Sequence, residues 1–270
     1  MSARRARRGS EGESDSYLAS MSDLMVGMLF IFIIMLMTFA LSYRSAQDES
    51  SATVESLSSL VDEVTRKTAI LERGQALLTE NKVMLDRMLA ELQAALAERG
   101  VKATIEEGGV LRLRDSMPFA SGEADIGPVA GRTAAILAET FARILPCYSV
   151  AGSGHCPANT RPILEAVFIE GHTDNQPISG KFRDNWVLST ARASNTYEAI
   201  TAAGPALTHL KNGAGKAMFG VSGYGEERPV AGNDSEPNRA LNRRIDLRFL
   251  LATPTPEQLE RIRHEAEAVR

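Results

Sequence analysis

The chain has 270 residues, 24% of them charged, and a formal net charge of −4. That length allows roughly one or two domains plus a membrane anchor, and the charge balance excludes the global basic field by which a protein holds nucleic acid. The charges are placed unevenly: Arg4, Arg5, Arg7 and Arg8 open the chain, whereas Arg44 is followed by Asp48, Glu49 and Glu55.

Residues 1–16, rich in Arg, Ser, Glu and Gly, read as a short disordered tail. A membrane helix is expected over residues 17–43. Leu24 to Tyr43 contains no charged residue, and at ~1.5 Å per residue it spans about 30 Å, the hydrocarbon thickness of a bilayer. The run is apolar on every side, unlike a surface helix. It is too long for the apolar core of a signal peptide, and the exit "TFALSYRSAQDE" offers no small-x-small cleavage site. The arginines before the span place the N-terminus in the cytoplasm and everything after Tyr43 outside the inner membrane. Asp23 stands at the threshold of the run. It reads either as a helix N-cap at the lipid interface or as an ion carrier facing partner helices, since ionisable groups at membrane depth are costly and usually functional.

Residues 45–99 hold no proline and one glycine, Gly74. Leu57, Val64, Leu71, Leu78, Leu85 and Leu92 recur at every seventh position, beside a weaker seam of Val54, Val61, Thr68, Gln75, Lys82, Leu89 and Leu96. This heptad pattern predicts a helical linker that pairs as a parallel homodimeric coiled coil. The alternative is a helix packed on the chain's own globular domain. Gly100 ends the helix.

Residues 101–252 then alternate. "VKATIEEGGVLRLRD" reads as strand-like with a Gly-Gly turn, "PVAGRTAAILAETFARIL" as a helix opened by proline, and Ala166 to Glu170 as a short buried strand. A helix capped at Asp184 or Asn185 and closed by Gly204 follows, then a strand in "KAMFGVSGYG" and a last one in "RRIDLRFLLA". The order β-α-β-α-β-β makes a compact α+β domain. Cys147 and Cys156, the only cysteines, are expected to form a small-loop disulfide in an oxidising compartment. A zinc site using His155 lacks an evident fourth ligand, so no metal is expected. Residues 253–270 read as a short charged helix.

The chemistry on offer is binding rather than catalysis. No Ser or Cys sits in a recognisable nucleophile elbow, and "GYGEER" has Arg228 where a dinucleotide loop needs its third glycine. Leu188, Ser189 and Arg192 share one face of a helix. Asp174, in the turn "GHTDN", and Arg192 offer one anion and one cation, suited to a zwitterionic ligand. An internal Asp174–Arg192 salt bridge is the alternative.

"IEGHTDN", "NWVLSTARA", "GYGEERPVAGN" and "NRALNRR" follow in the order and spacing of the OmpA-like peptidoglycan-binding domain, a β/α sandwich, which residues 101–252 resemble. The resemblance implies that Asp174 and Arg192 hold the diaminopimelate of the wall peptide. It implies further that Thr173, Asn175, Leu188 and Ser189 line the same pocket, and that Asn242 and Arg244 brace it. With one membrane helix, an Asp near its cytoplasmic end and a helical linker, the whole chain resembles the MotB-type subunit of ion-driven stators. That implies a non-enzymatic, cofactor-free, inner-membrane homodimer working with a MotA-like multi-span partner, with Asp23 carrying the ion. Ser22 in place of the usual Ala, the short basic leader and the regular heptad favour a non-flagellar relative such as the B subunit of the Zorya antiphage motor. A passive tether between membrane and wall is the competing function.

Overall fold

The structure is a computed structural model that describes residues 10–113, 115–150, 156–178 and 180–267. The chain divides into two compact units, Met1–Ala69 and Ile70–Arg270.

In the first unit, the described residues belong to a single helix, α1 (Ser10–Glu98), which continues into the second. Its apolar run is long and apolar enough to cross a membrane. The side chains there are exposed all round, Phe30 at 66% and Phe39 at 69% among them, with no polar face. Two expectations change. Residues 10–16, read as disordered, are helical: extending an established helix costs far less than nucleating one, so weakly helical residues are recruited at its end. Asp23 consequently lies more than three turns inside the helix rather than at its cap, and the N-cap reading fails. Residues 1–9 of the expected tail lie outside the described residues.

In the second unit α1 changes character. Asn81, Leu85, Met88, Leu89, Leu92, Ala95 and Leu96 are buried, a stripe repeating at helical i, i+4, i+7 spacing. The six apolar ones join the same hydrophobic core as the sheet and the other helices. The expected dimeric seam therefore cannot run through Leu85, Leu89, Leu92 and Leu96, because the chain's own domain covers those side chains. Leu57, Val64, Leu71 and Leu78 remain exposed.

Five strands form one sheet in the order β1-β2-β5-β3-β4. The hairpin of β1 (Ala103–Glu106) and β2 (Val110–Leu113) turns at the predicted Gly-Gly pair. Next comes the central strand β5 (Ile245–Leu251), antiparallel to both β2 and β3 (Leu164–Gly171). β3 pairs in parallel with β4 (Phe219–Gly223), a pairing that needs the crossover which α3 (Asn185–Ala203) supplies. Ile245, Leu247 and Phe249 of β5 face the core, and Phe141 of α2 (Pro128–Ile144) stacks on Phe219 and meets Phe249 edge-on. Residues of the opposite phase carry charge: Arg248 grips Glu170 through two bonds of 2.7 and 3.0 Å, and Arg112 pairs with Asp246 at 3.1 Å. One face packs and the other is polar, as an antiparallel sheet allows.

α3 (Asn185–Ala203) is capped by Asp184, whose carboxylate accepts from the Val187 amide at 2.9 Å, and ends at Gly204. The first five residues of "NRALNRR" fall in a helix that the sequence reading omitted, α4 (Glu236–Asn242), opened by Pro237, and its last two follow the helix, so two strands do not follow one another at the end. α5 (Pro256–Glu267) is tied to α1 by Arg73 and Glu265 at 2.6 Å. Cys147 and Cys156 are joined in a disulfide, with Cα atoms 5.4 Å apart.

Candidate functional site

The site forms where β3 and β4 end beneath the first turns of α3. Gly171 and Gly223 make that approach: a Cβ at Gly171 would lie 2.0 Å from the Ser189 carbonyl oxygen, and one at Gly223 would lie 2.3 Å from Thr190 Oγ1. Only glycine lets the helix backbone come so close. Beyond Gly171 the turn is pinned from both sides. The His172 amide donates to the Arg244 carbonyl at 3.1 Å, and the Thr173 amide to the Gly225 carbonyl at 2.9 Å.

Asp174 follows, 4% exposed. Its Oδ2 accepts from Arg243 Nη1 at 2.7 Å and its Oδ1 from the Gln176 amide at 3.2 Å. Arg192 is fully buried. Its guanidinium donates to three backbone carbonyls, Glu123 at 2.9 Å, His172 at 3.2 Å and Ala120 at 2.9 Å, and lies over the Phe119 ring at 5.1 Å. The internal Asp174–Arg192 salt bridge is not formed, since Asp174 gives its ion pair to Arg243. Burial pushes the Arg192 guanidinium down to about 10, with Arg243 also lowering it and the Asp174 and Glu123 carboxylates opposing. A buried cation held by neutral carbonyls favours an incoming anion.

Asp174, Leu188 and Arg192 line one cavity of about 160 Å³, together with Ser121, Gly122 and Gln176. The remaining expected residues do not line it. Ser189 Oγ accepts from the Gly225 amide and donates to the Trp186 carbonyl, holding the turn in place. Thr173 is buried, its Oγ1 without a partner among the described residues. Asn175 is exposed and borders a neighbouring depression beside Trp186 and Glu226. Asn242 staples the loop before α4, accepting from the Val230 and Ala231 amides and donating to the Ala231 carbonyl and Asn233. Arg244 binds Asp246 at 3.0 Å and the Arg228 carbonyl at 3.1 Å. The hydrogen bonds of Ser189, Asn242 and Arg244 thus run to the protein's own backbone and side chains.

Sequence reasoning missed Arg243, which couples Asp174 to Glu236, bonding both at 2.7 Å. It also missed Gln176 and the Ser121–Gly122 segment. Arg243 stands between Asn242 and Arg244, so the signal was the second basic side chain of "NRALNRR". The cavity thus presents a carboxylate and a buried guanidinium side by side, the arrangement that takes an ammonium and a carboxylate of one ligand.

Residues 158–243 match the OmpA family model. Over 276 residues the chain is 25% identical to Motility protein B of Bacillus subtilis (strain 168), covering 92% of this chain and 96% of that one. Motility protein B of Helicobacter pylori (strain J99) is 24% identical over 163 residues, 59% of this chain and 54% of that one. A crystal structure of a MotB-like protein from Desulfovibrio vulgaris aligns with a TM-score of 0.48 at 26% identity, over 65% of this chain and 99% of that one.

Proposed function

We propose that this MotB-like chain, with its OmpA-type C-terminal domain, is the wall-anchored membrane subunit of an ion-driven stator. The observation that carries the reading is the pairing of Asp174 with a buried, carbonyl-held Arg192 in one cavity. Diaminopimelate ends in a zwitterion, so its carboxylate would meet Arg192 and its ammonium Asp174. The apolar part of α1 would cross the inner membrane once, with the N-terminus inside. Asp23, carried in the interior of that helix, would take up and release a proton against the helices of a MotA-like multi-span partner. Neutralising a carboxylate at membrane depth changes its fit to the surrounding helices, and a bistable packing can turn that change into motion. The exposed stripe from Val54 to Leu78 would pair two copies.

Two outputs follow from such a motor, swimming and exclusion of phage. Relatives named for motility support the first. Ser22 before Asp23 and the short basic leader support a Zorya-type antiphage motor.

The test uses the full-length chain in membranes. Wild-type protein should sediment with purified peptidoglycan and be released by free diaminopimelate. Asp174→Asn should bind roughly ten- to hundredfold more weakly, the loss of one charge-assisted contact of about 1.5–3 kcal/mol. Arg192 is the poorer probe, because its three carbonyl bonds make it structural as well. Asp23→Asn should insert and bind the wall normally yet lose swimming or phage exclusion, since Asn cannot exchange a proton. Full output from Asp23→Asn would leave only the passive tether, and undiminished wall binding by Asp174→Asn would overturn the pocket assignment.

A further inference from the structure

A second cavity, of about 250 Å³, has Arg243 in its lining. Its walls come from the segment after β2, from Ala240 and Leu241 of α4, and from Val230. Leu113, Met117 and Phe119 give it an apolar floor, buried to 5% exposure or less, while Leu241 and Val230 remain 42% and 43% exposed. Arg112, Arg243 and Arg244 line it as well. Such a union of apolar wall and guanidinium is not explained by the stem-peptide pocket, with which it shares no lining residue.

The donor inventory shows what is missing. Arg244 is 6% exposed; its Nε is taken by Asp246 and its Nη2 by the Arg228 carbonyl. Nη1 is buried without a hydrogen-bond partner among the described residues, and so is Nε of Arg243. The Asp246 carboxylate is already shared, with Arg112 at 3.1 Å and Arg244 at 3.0 Å. A buried charged donor left unpaired is costly, and one oxygen supplied by a ligand would remove that cost. Asp115, also in the lining, stands at a positive φ of 50° with an exposed carboxylate that can accept an N–H. The volume is below the range of drug-sized sites, which suits one residue rather than a long acyl chain.

We propose that this cavity binds the free carboxylate end of an apolar amino-acid residue, with the carboxylate on Arg244 Nη1, the side chain on Leu113, Met117 and Leu241, and the amide N–H on Asp115. The site stands independently of wall binding, because its recognition uses neither Asp174 nor Arg192. The ligand's source is either a peptide C-terminus or a free amino acid.

The test is titration of the full-length chain in nanodiscs with N-acetyl-leucine, followed by ligand-observed NMR. N-acetyl-leucine should bind saturably and at least tenfold more tightly than N-acetyl-leucinamide, which lacks the carboxylate, or acetate, which lacks the side chain. Leu241→Glu, a change on a half-exposed helix face, should abolish this binding while wall sedimentation is kept. Arg244→Gln should weaken it at least tenfold, with a thermal melt to separate loss of binding from loss of fold. Preference for N-acetyl-leucine over leucine would identify a peptide C-terminus as the source, and equal binding the free amino acid. Equal affinity for the leucinamide, retention by Leu241→Glu, or no saturable binding below about 10 mM would overturn the proposal.

Discussion

His172 follows β3 directly, 2% exposed, its ring stacked on Tyr224 at 5.4 Å and neither ring nitrogen bonded among the described residues. Burial, with the positive charges of Arg244, Arg112, Arg228 and Arg248 acting in the same direction, lowers its pKa to about 3. Asp246 lies 3.6 Å from Nε2, which does not offset them. The unfolded chain takes a proton on this histidine below about pH 6.5, whereas the folded chain refuses it until about pH 3. Between those values the unfolded state binds more protons, so stability falls as pH falls, by about 1.4 kcal/mol per unit. From pH 7 to pH 5 the loss attributable to His172 should be about 2 kcal/mol. Denaturant titrations followed by the single tryptophan, Trp186, should show that loss in wild type and not in His172→Phe, which keeps the stacked ring. An equal loss in both proteins would mean that His172 titrates normally.

Helix α1 carries one periodic stripe that is covered over part of its length and exposed over the rest. Over three turns a 3.5-residue period and a 3.6-residue period differ by only about 20° per heptad, so the leucines cannot themselves reveal what covers them. Leu85 and Leu92 turn out to be 5% and 0% exposed in the core of their own domain, while Leu57, Val64 and Leu71 stand at 58%, 62% and 66%. Single cysteines at Leu57, Val64 or Leu71 should therefore crosslink two copies in membranes under mild oxidation, and cysteines at Leu85 or Leu92 should not. Efficient crosslinking at Leu92 would place the dimer seam inside the domain. Its failure at every one of the three exposed positions would remove the seam altogether. Elements set by local signals were legible: Asp184 caps α3, Gly204 ends it, and Pro128 opens α2. α4 was overlooked, because its seven residues are too few to display a period.

At the scale of the whole molecule, Asp174, Leu188 and Arg192, grouped by the motifs, line one cavity, but the motifs could not show who holds them. Asp174 meets Arg243 across 69 positions of sequence and Arg192 reaches Ala120 across 72, distances over which spacing carries no information. The same blindness misplaced the start of the C-terminal domain, expected at residue 101. Its core includes Leu85, Met88, Leu89, Leu92 and Leu96 from the preceding helix. Burying each such side chain contributes about 1.5–3 kcal/mol, and five of them rival the whole 5–15 kcal/mol margin of a typical domain. A fragment of residues 101–252 would also expose the part of the core that those side chains cover. It should be partly unfolded or aggregated, with no cooperative melt. A fragment of residues 70–270 retains the complete compact unit and should melt in a single transition. Leu92→Ala within it, at a fully buried position, should cost about 2–5 kcal/mol, whereas Leu71→Ala, on the exposed stripe, should cost under about 0.5 kcal/mol. Coincident cooperative melts for the two fragments would show that the helix segment is dispensable to the domain and would return Leu85 to Leu96 to the dimer seam.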